Sequence, residues 1–184
     1  MKTIGALVFP EFELLDMYGP LEMFGLLRDD VEIRMVAETR EPVRSSPGPK
    51  TVVDDLISDS DDYDILIVPG GRGSRREVEN NAVLDWLRAA ASKAKLVTSV
   101  CTGSATLAKA SLLNGRRATT NKAAYEWVRA QGPDALWQPQ ARWVEDGYIR
   151  RIGRHRHGPC CHIAALWRGE SRSYCSQRRI RMAP

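Results

Sequence analysis

Residues 1–149 of this 184-residue chain contain no histidine and a single cysteine, Cys101. The first absence takes the commonest general base, and with it any Cys-His dyad, out of that stretch. No apolar run is long enough to span a bilayer. The N-terminal MKTIGALVFPEFELLD has one lysine, meets Pro10 after a short apolar run, and offers no small-residue cleavage site. A signal peptide is therefore not expected; a cytoplasmic location with reduced thiols is. There is no internal repeat and no low-complexity linker, so one sizeable core is expected at this length.

A net charge of +4 and a pI near 9.0 point toward an anionic partner until the charge is located. Residues 150–184 hold nine arginines and one acid, Glu170, a balance of +8. The preceding 149 residues are mildly acidic, at −4. All three histidines and three of the four cysteines also fall in the tail. The composition breaks sharply near residue 150, and two segments are expected, 1–149 and 150–184. A specific nucleic-acid partner would have to be read from the tail alone, and is not expected.

Within 1–149 the pattern alternates strands and helices. TIGALVF (3–9), YDILIVPGG (63–71) and KLVTSV (95–100) read as buried strands. VEIRMVAE (31–38) alternates as a strand with one covered face. GPLEMFGLLRD is expected to be helical with Pro20 in its first turn. Further helices are expected over 81–94, over 103–115 closed by Gly115, and over 122–132 closed by Gly132. QARWVEDGYI (140–149) has the form of a hairpin about Asp146-Gly147. This order implies an α/β fold with a mostly parallel sheet covered on both faces.

Reactive groups in such sheets lie beyond the carboxyl ends of the strands. VPGG and TSVCTGS both follow buried strands, and the second puts Cys101 between strand and helix with Gly103 two residues on. The spacing has the form of a nucleophile elbow, and a helix start favours the thiolate. The Thr102 amide and an amide of the Gly-Gly turn are candidates for an oxyanion site. A lone cysteine serves equally as a small buried hydrophobe, and the residues alone leave both readings open. The acid is sought in FPEFELLDMYGP. Glu11 and Glu13 read as solvated loop carboxylates. Asp16, between Leu15 and Met17, reads as partly desolvated and able to share a proton with a thiol.

Taken together, LLDMYGPLEMF, DILIVPGG, SVCTGSATLAKASLLNGRRATTNK and ARWVEDGYI resemble the ThiJ/PfpI superfamily through residues 1–149. The resemblance is closest to its isonitrile hydratase branch and to the ligand-sensing domains of some AraC-type transcription regulators. It implies a flavodoxin-like three-layer sandwich of the class I glutamine amidotransferase type. It implies Cys101 as nucleophile, Asp16 as the acid that hydrogen-bonds it, and Gly71 and Thr102 as oxyanion amides. Gly70 and Asn121 are the expected substrate-binding positions. Many relatives carry histidine after the cysteine or after the paired threonines; here those positions are Thr102 and Asn121, which argues against a peptidase-like triad. The implied activity is addition of water to a small electrophile, hydration of an isonitrile to an N-substituted formamide, with no cofactor and no metal. The implied assembly is a homodimer, acting on a small molecule and not on a membrane. A non-catalytic domain that senses oxidants or small metabolites is the alternative.

The family continues past this hairpin with a segment like Thr-Ser-Ser-Gly-Val-Ser-Ala-Gly-Ile-Asp-Met-Ala-Leu. The chain has RRIGRHRHGP instead. Synonymous codons for these ten residues, CGG CGT ATC GGC CGG CAC CGA CAT GGC CCT T, read one nucleotide later as Gly-Val-Ser-Ala-Gly-Thr-Asp-Met-Ala-Leu. A frameshift close to residue 149 or 150, in the gene or its sequencing, accounts for the match. On this reading His155, His157, Cys160, Cys161 and His162 form no metal site, their spacing fitting no compact zinc pattern. The tail, lacking an amphipathic period, is expected to leave the core incompletely covered.

Overall fold

The computed structural model describes residues 1–147 and 149–152. The expectations for the tail's metal ligands and packing lie outside the described residues.

The chain runs β1 (Lys2–Leu7), α1 (Leu14–Gly25), β2 (Val31–Ala37), then β3 (Val43–Arg44) and β4 (Lys50–Thr51), which form a small antiparallel hairpin. β5 (Asp55–Leu56), β6 (Ile65–Val68), α2 (Ser74–Glu77), α3 (Asn81–Lys93), β7 (Leu96–Val100) and α4 (Gly103–Lys109) follow. β8 (Arg117–Ala118), α5 (Tyr125–Ala130), β9 (Leu136–Trp137), β10 (Trp143–Asp146) and β11 (Ile149–Ile152) complete the order. Seven strands form one sheet in the order β10-β11-β7-β6-β1-β2-β5. All its pairings are parallel except β10 with β11. The α/β sandwich with a mostly parallel sheet is as expected.

β6 is apolar at every position and buried throughout, as a strand covered on both faces must be. β2 departs from simple alternation: Met35, Val36 and Ala37 are all buried, so its carboxyl end is covered on both faces. The amphipathic α3 closes one side with Val83, Leu84, Leu87, Ala90 and Ala91 turned inward. Its N-terminus is capped by Asn80, whose side chain accepts from the Val83 amide. The expected hairpin forms, but one residue later: Asp146 is the last paired residue of β10, opposite Ile149, and the turn begins at Gly147, at φ +62°.

Three helices differ from expectation. α1 begins at Leu14, so Pro20 lies inside it and Asp16 sits in its first turn rather than in a loop. Pro20 has no N–H to give to the Asp16 carbonyl four residues back, so that bond of the helix is not made. α4 ends at Lys109 instead of reaching Gly115. Ser111, at φ +62°, reverses the chain there, and the Gly115 amide bonds the carbonyl of Asp134. The expected helix over 122–132 is a 3-10 turn, Lys122–Ala124, followed by the short α5.

Candidate active site

β1, β6 and β7 are neighbours, so the segments leaving their carboxyl ends converge. The last of them carries Cys101, 5% exposed and at φ +54°. A left-handed conformation costs an L-residue about 1–2 kcal/mol, so something must hold it. Its carbonyl oxygen accepts from Thr120 Oγ1 at 2.9 Å and from Ser104 Oγ at 3.1 Å. The turn closes tightly because Gly103 presents no side chain; a Cβ there would stand 2.3 Å from the Val68 carbonyl. This is the elbow geometry, with α4 starting at Gly103 immediately behind it.

The turn after β6 lies against it. Gly71, at φ +133°, bridges Phe12 in the loop after β1, and a Cβ on it would meet the Glu11 carbonyl at 2.3 Å. Gly70 donates its amide to Asp16 Oδ2 at 3.3 Å and returns its carbonyl to the Glu13 amide at 2.8 Å. Asp16 is 1% exposed, so the carboxylate sits in the site and not in solvent. Glu11 and Glu13 contribute through their backbones: the Glu11 carbonyl accepts from the Gly73 amide, and Glu13 caps α1.

Thr102 is a hub. Its Oγ1 accepts from the Gly71 amide at 3.1 Å and from Ser74 Oγ at 3.0 Å. The same oxygen lies 3.3 Å from the Gly71 carbonyl, to which Ser74 Oγ also stands at 2.7 Å. The Gly71 amide is thus engaged by the Thr102 hydroxyl, and any oxyanion would take it over by displacing that oxygen. Asn121 closes the other side, its Nδ2 donating to Cys101 Sγ at 3.2 Å.

Of the residues expected at the site, Asp16, Gly70, Gly71 and Thr102 gather in one hydrogen-bonded group, and Asn121 touches the thiol. Ser74, Ser104 and Thr120 were not anticipated. Thr120 was visible as half of the paired threonines, whereas Ser74 and Ser104 have no pattern beyond following glycine. Among the described residues no three His, Cys, Asp or Glu side chains group to hold a metal ion, and no helix is long and apolar enough to cross a membrane.

The chain is 39% identical over 146 residues to isonitrile hydratase of Pseudomonas putida, a match covering 79% of this chain and 62% of that protein. A ThiJ/PfpI family protein from Pseudomonas syringae superposes with a TM-score of 0.77 at 30% identity, over 83% of this chain and 62% of the other. An AraC family transcriptional regulator from Pseudomonas putida shares the fold, at a TM-score of 0.67 and 16% identity over 83% of each chain. The chain thus spans less than two thirds of the isonitrile hydratase it matches. The DJ-1/PfpI family model matches residues 2–151, from the start of β1 into β11, and the chain belongs to the DJ-1/PfpI family.

Proposed function

We propose that this protein is a cysteine-dependent enzyme acting on a small electrophile, an isonitrile hydratase in its chemistry. The observation that carries this is the elbow itself: a buried thiol held in a strained turn, with a buried α1 carboxylate bonded to the adjoining glycine turn. The identity to isonitrile hydratase supports it. The Cys101 thiolate forms a C–S bond to the terminal carbon of R–N≡C, and that carbon takes up a proton delivered through Asp16, giving a thioimidate R–N=CH–S. Water adds to the same carbon, giving up one proton to Asp16 and one to nitrogen. The C–S bond then breaks with its electron pair returning to sulfur, and R–NH–CHO leaves. The amides of Thr102 and Gly71 stabilise the charge that builds on the added oxygen. Gly70 and Asn121 border the space for substrate, and no metal or cofactor is invoked.

A panel of isonitriles assayed for formamide, with wild type and Cys101→Ala compared, tests this. Loss of turnover in a folded Cys101→Ala protein, and a thioimidate-mass adduct in the wild type, are expected. Full activity in Cys101→Ala would refute it. Oxidant or metabolite binding without turnover by the wild type would instead favour a sensing domain.

A cytoplasmic homodimer is part of the proposal. α1 exposes Leu15 and Tyr18, Leu26 just past its end is also exposed, and Val52 beside the β3–β4 hairpin is 72% exposed. Exposed apolar side chains of this kind suit a second copy of the chain. We also propose that residues 1–149 are the family domain and 150–184 an out-of-frame tail. The family match ending at 151 and the compositional break near 150 support this. Sequencing the DNA across codons 145–160 decides it.

A further inference from the structure

We infer that Asn121 stabilises the Cys101 thiolate as a neutral hydrogen-bond donor, a role distinct from the substrate contact expected of it. The inference rests on Cys101 being the nucleophile of the proposed reaction. Two bonds fix which way the Asn121 amide points. Its Oδ1 accepts from the Ala123 amide at 3.0 Å, and a backbone N–H can only donate, so the oxygen belongs there. The NH2 group is left facing Sγ at 3.2 Å. A sulfur anion accepts a stronger hydrogen bond than a neutral thiol, so a donor aimed at Sγ favours ionisation.

The donor is also held in place. Thr120, one residue before it, bonds the Cys101 carbonyl. Thr119 Oγ1 lies 2.9 Å from the Ala141 carbonyl and 3.1 Å from that of Gln138. Lys122, one residue after, donates to Thr119 Oγ1 and to the Ala141 carbonyl, each at 2.7 Å. The segment 119–123 therefore grips Cys101 at both its carbonyl and its sulfur. The ionisable side chains on the segments meeting at the elbow are Glu11, Glu13 and Asp16 after β1, Arg72 in the glycine turn, Arg75, Arg76 and Glu77 on α2, and Lys122. The Lys122 ammonium is committed to Thr119 and Ala141. Unlike a histidine, Asn121 keeps its proton at every pH, so its effect on the thiolate does not titrate.

The test is the rate of Cys101 alkylation by iodoacetamide across pH, followed by the mass of the Cys101 peptide. Asn121→Ala is expected to raise the midpoint by about one pH unit, a roughly tenfold loss of thiolate at a fixed pH below it. Asn121→Asp keeps the bond from Ala123, so it guards against a misfolded alanine variant. It should raise the midpoint further, because a carboxylate then faces the sulfur. An unchanged midpoint in a folded Asn121→Ala protein overturns the inference. So does a rise in KM for isonitrile with the midpoint unmoved, which would make Asn121 a substrate contact. Alkylation reads the thiol directly, so activity surviving in Cys101→Ala would refute the hydratase reading while leaving the midpoint comparison to judge Asn121 separately.

Discussion

The backbone amide of Gly70 donates to Asp16 Oδ2 at 3.3 Å, tying the turn after β6 to the first turn of α1. A Cβ on Gly70 would lie 2.8 Å from that oxygen, 2.6 Å from the Thr102 nitrogen and 2.7 Å from the Thr102 hydroxyl. Gly70→Ala should force acid and threonine apart. Displacements on that scale lower kcat/KM by about 100-fold, and overpacking costs about 1–3 kcal/mol of stability. Isonitrile turnover and the urea midpoint measure the two effects.

Cys101 is a non-glycine residue at φ +54°. Cys101→Gly and Cys101→Ala both remove the sulfur and differ in whether a Cβ remains. The glycine variant should be the more stable by about 1 kcal/mol, reversing the usual order of the two residues. Thermal denaturation of the pair reads the strain, and both variants should be inactive.

Thr102 Oγ1 receives the Gly71 amide and the Ser74 hydroxyl. Thr102→Val keeps the shape and strands the Gly71 amide, while the Ser74 hydroxyl keeps the Gly71 carbonyl at 2.7 Å; the change should cost about 1–3 kcal/mol. Thr102→Ser should recover most of it. Adding Ser74→Ala to Thr102→Val should cost less than the two changes measured singly, because they share one network.

Acid and alkali should act on a cluster far from the elbow. Arg34 bonds Asp55 from two nitrogens, Nε at 3.0 Å, and Tyr63 adds its hydroxyl at 3.0 Å. Arg34 first, then Tyr63, hold the Asp55 carboxyl below the usual range. That contribution is complete above the ordinary carboxylate pKa of about 3.9 and lost as pH falls through the lower folded value. Burial, helped by the bond to Asp55, pushes Tyr63 up to about 12. Its contribution is complete below the ordinary tyrosine value of about 10 and lost as pH rises through the folded one. Asp55→Asn should be destabilised at pH 7, with the gap to wild type closing below about pH 4. Tyr63→Phe should lose the decline between about pH 10 and 12. Denaturant midpoints across pH check both.

What could be read in advance follows from what each signal depends on. β6 and α3 were legible because their burial is written in period and composition, all apolar in one and spaced by three and four in the other. The start of α1 was not. Pro20 in sequence suggests a first turn, yet burial of Met17, Leu21 and Phe24 on one face holds the helix through the proline. α4 was overextended because ASLLNG has no breaker before Gly115, while the actual stop is made by Ser111 in a conformation serine rarely adopts. The site shows the same division. Cys101, Asp16 and the glycines follow from chain punctuation and family pattern. The hydroxyl bonds of Ser74 and Thr120 depend on distances between segments far apart in sequence, and no local pattern encodes those.

β11 lies inside the sheet, between β10 and β7, and the change in composition near residue 150 falls within it. Its pairing with both neighbours is made by main-chain amides and carbonyls, which every amino acid but proline supplies alike. A change of side chains leaves such a ladder its donors and acceptors. The place of β11 between β10 and β7 therefore depends little on which side chains follow residue 150.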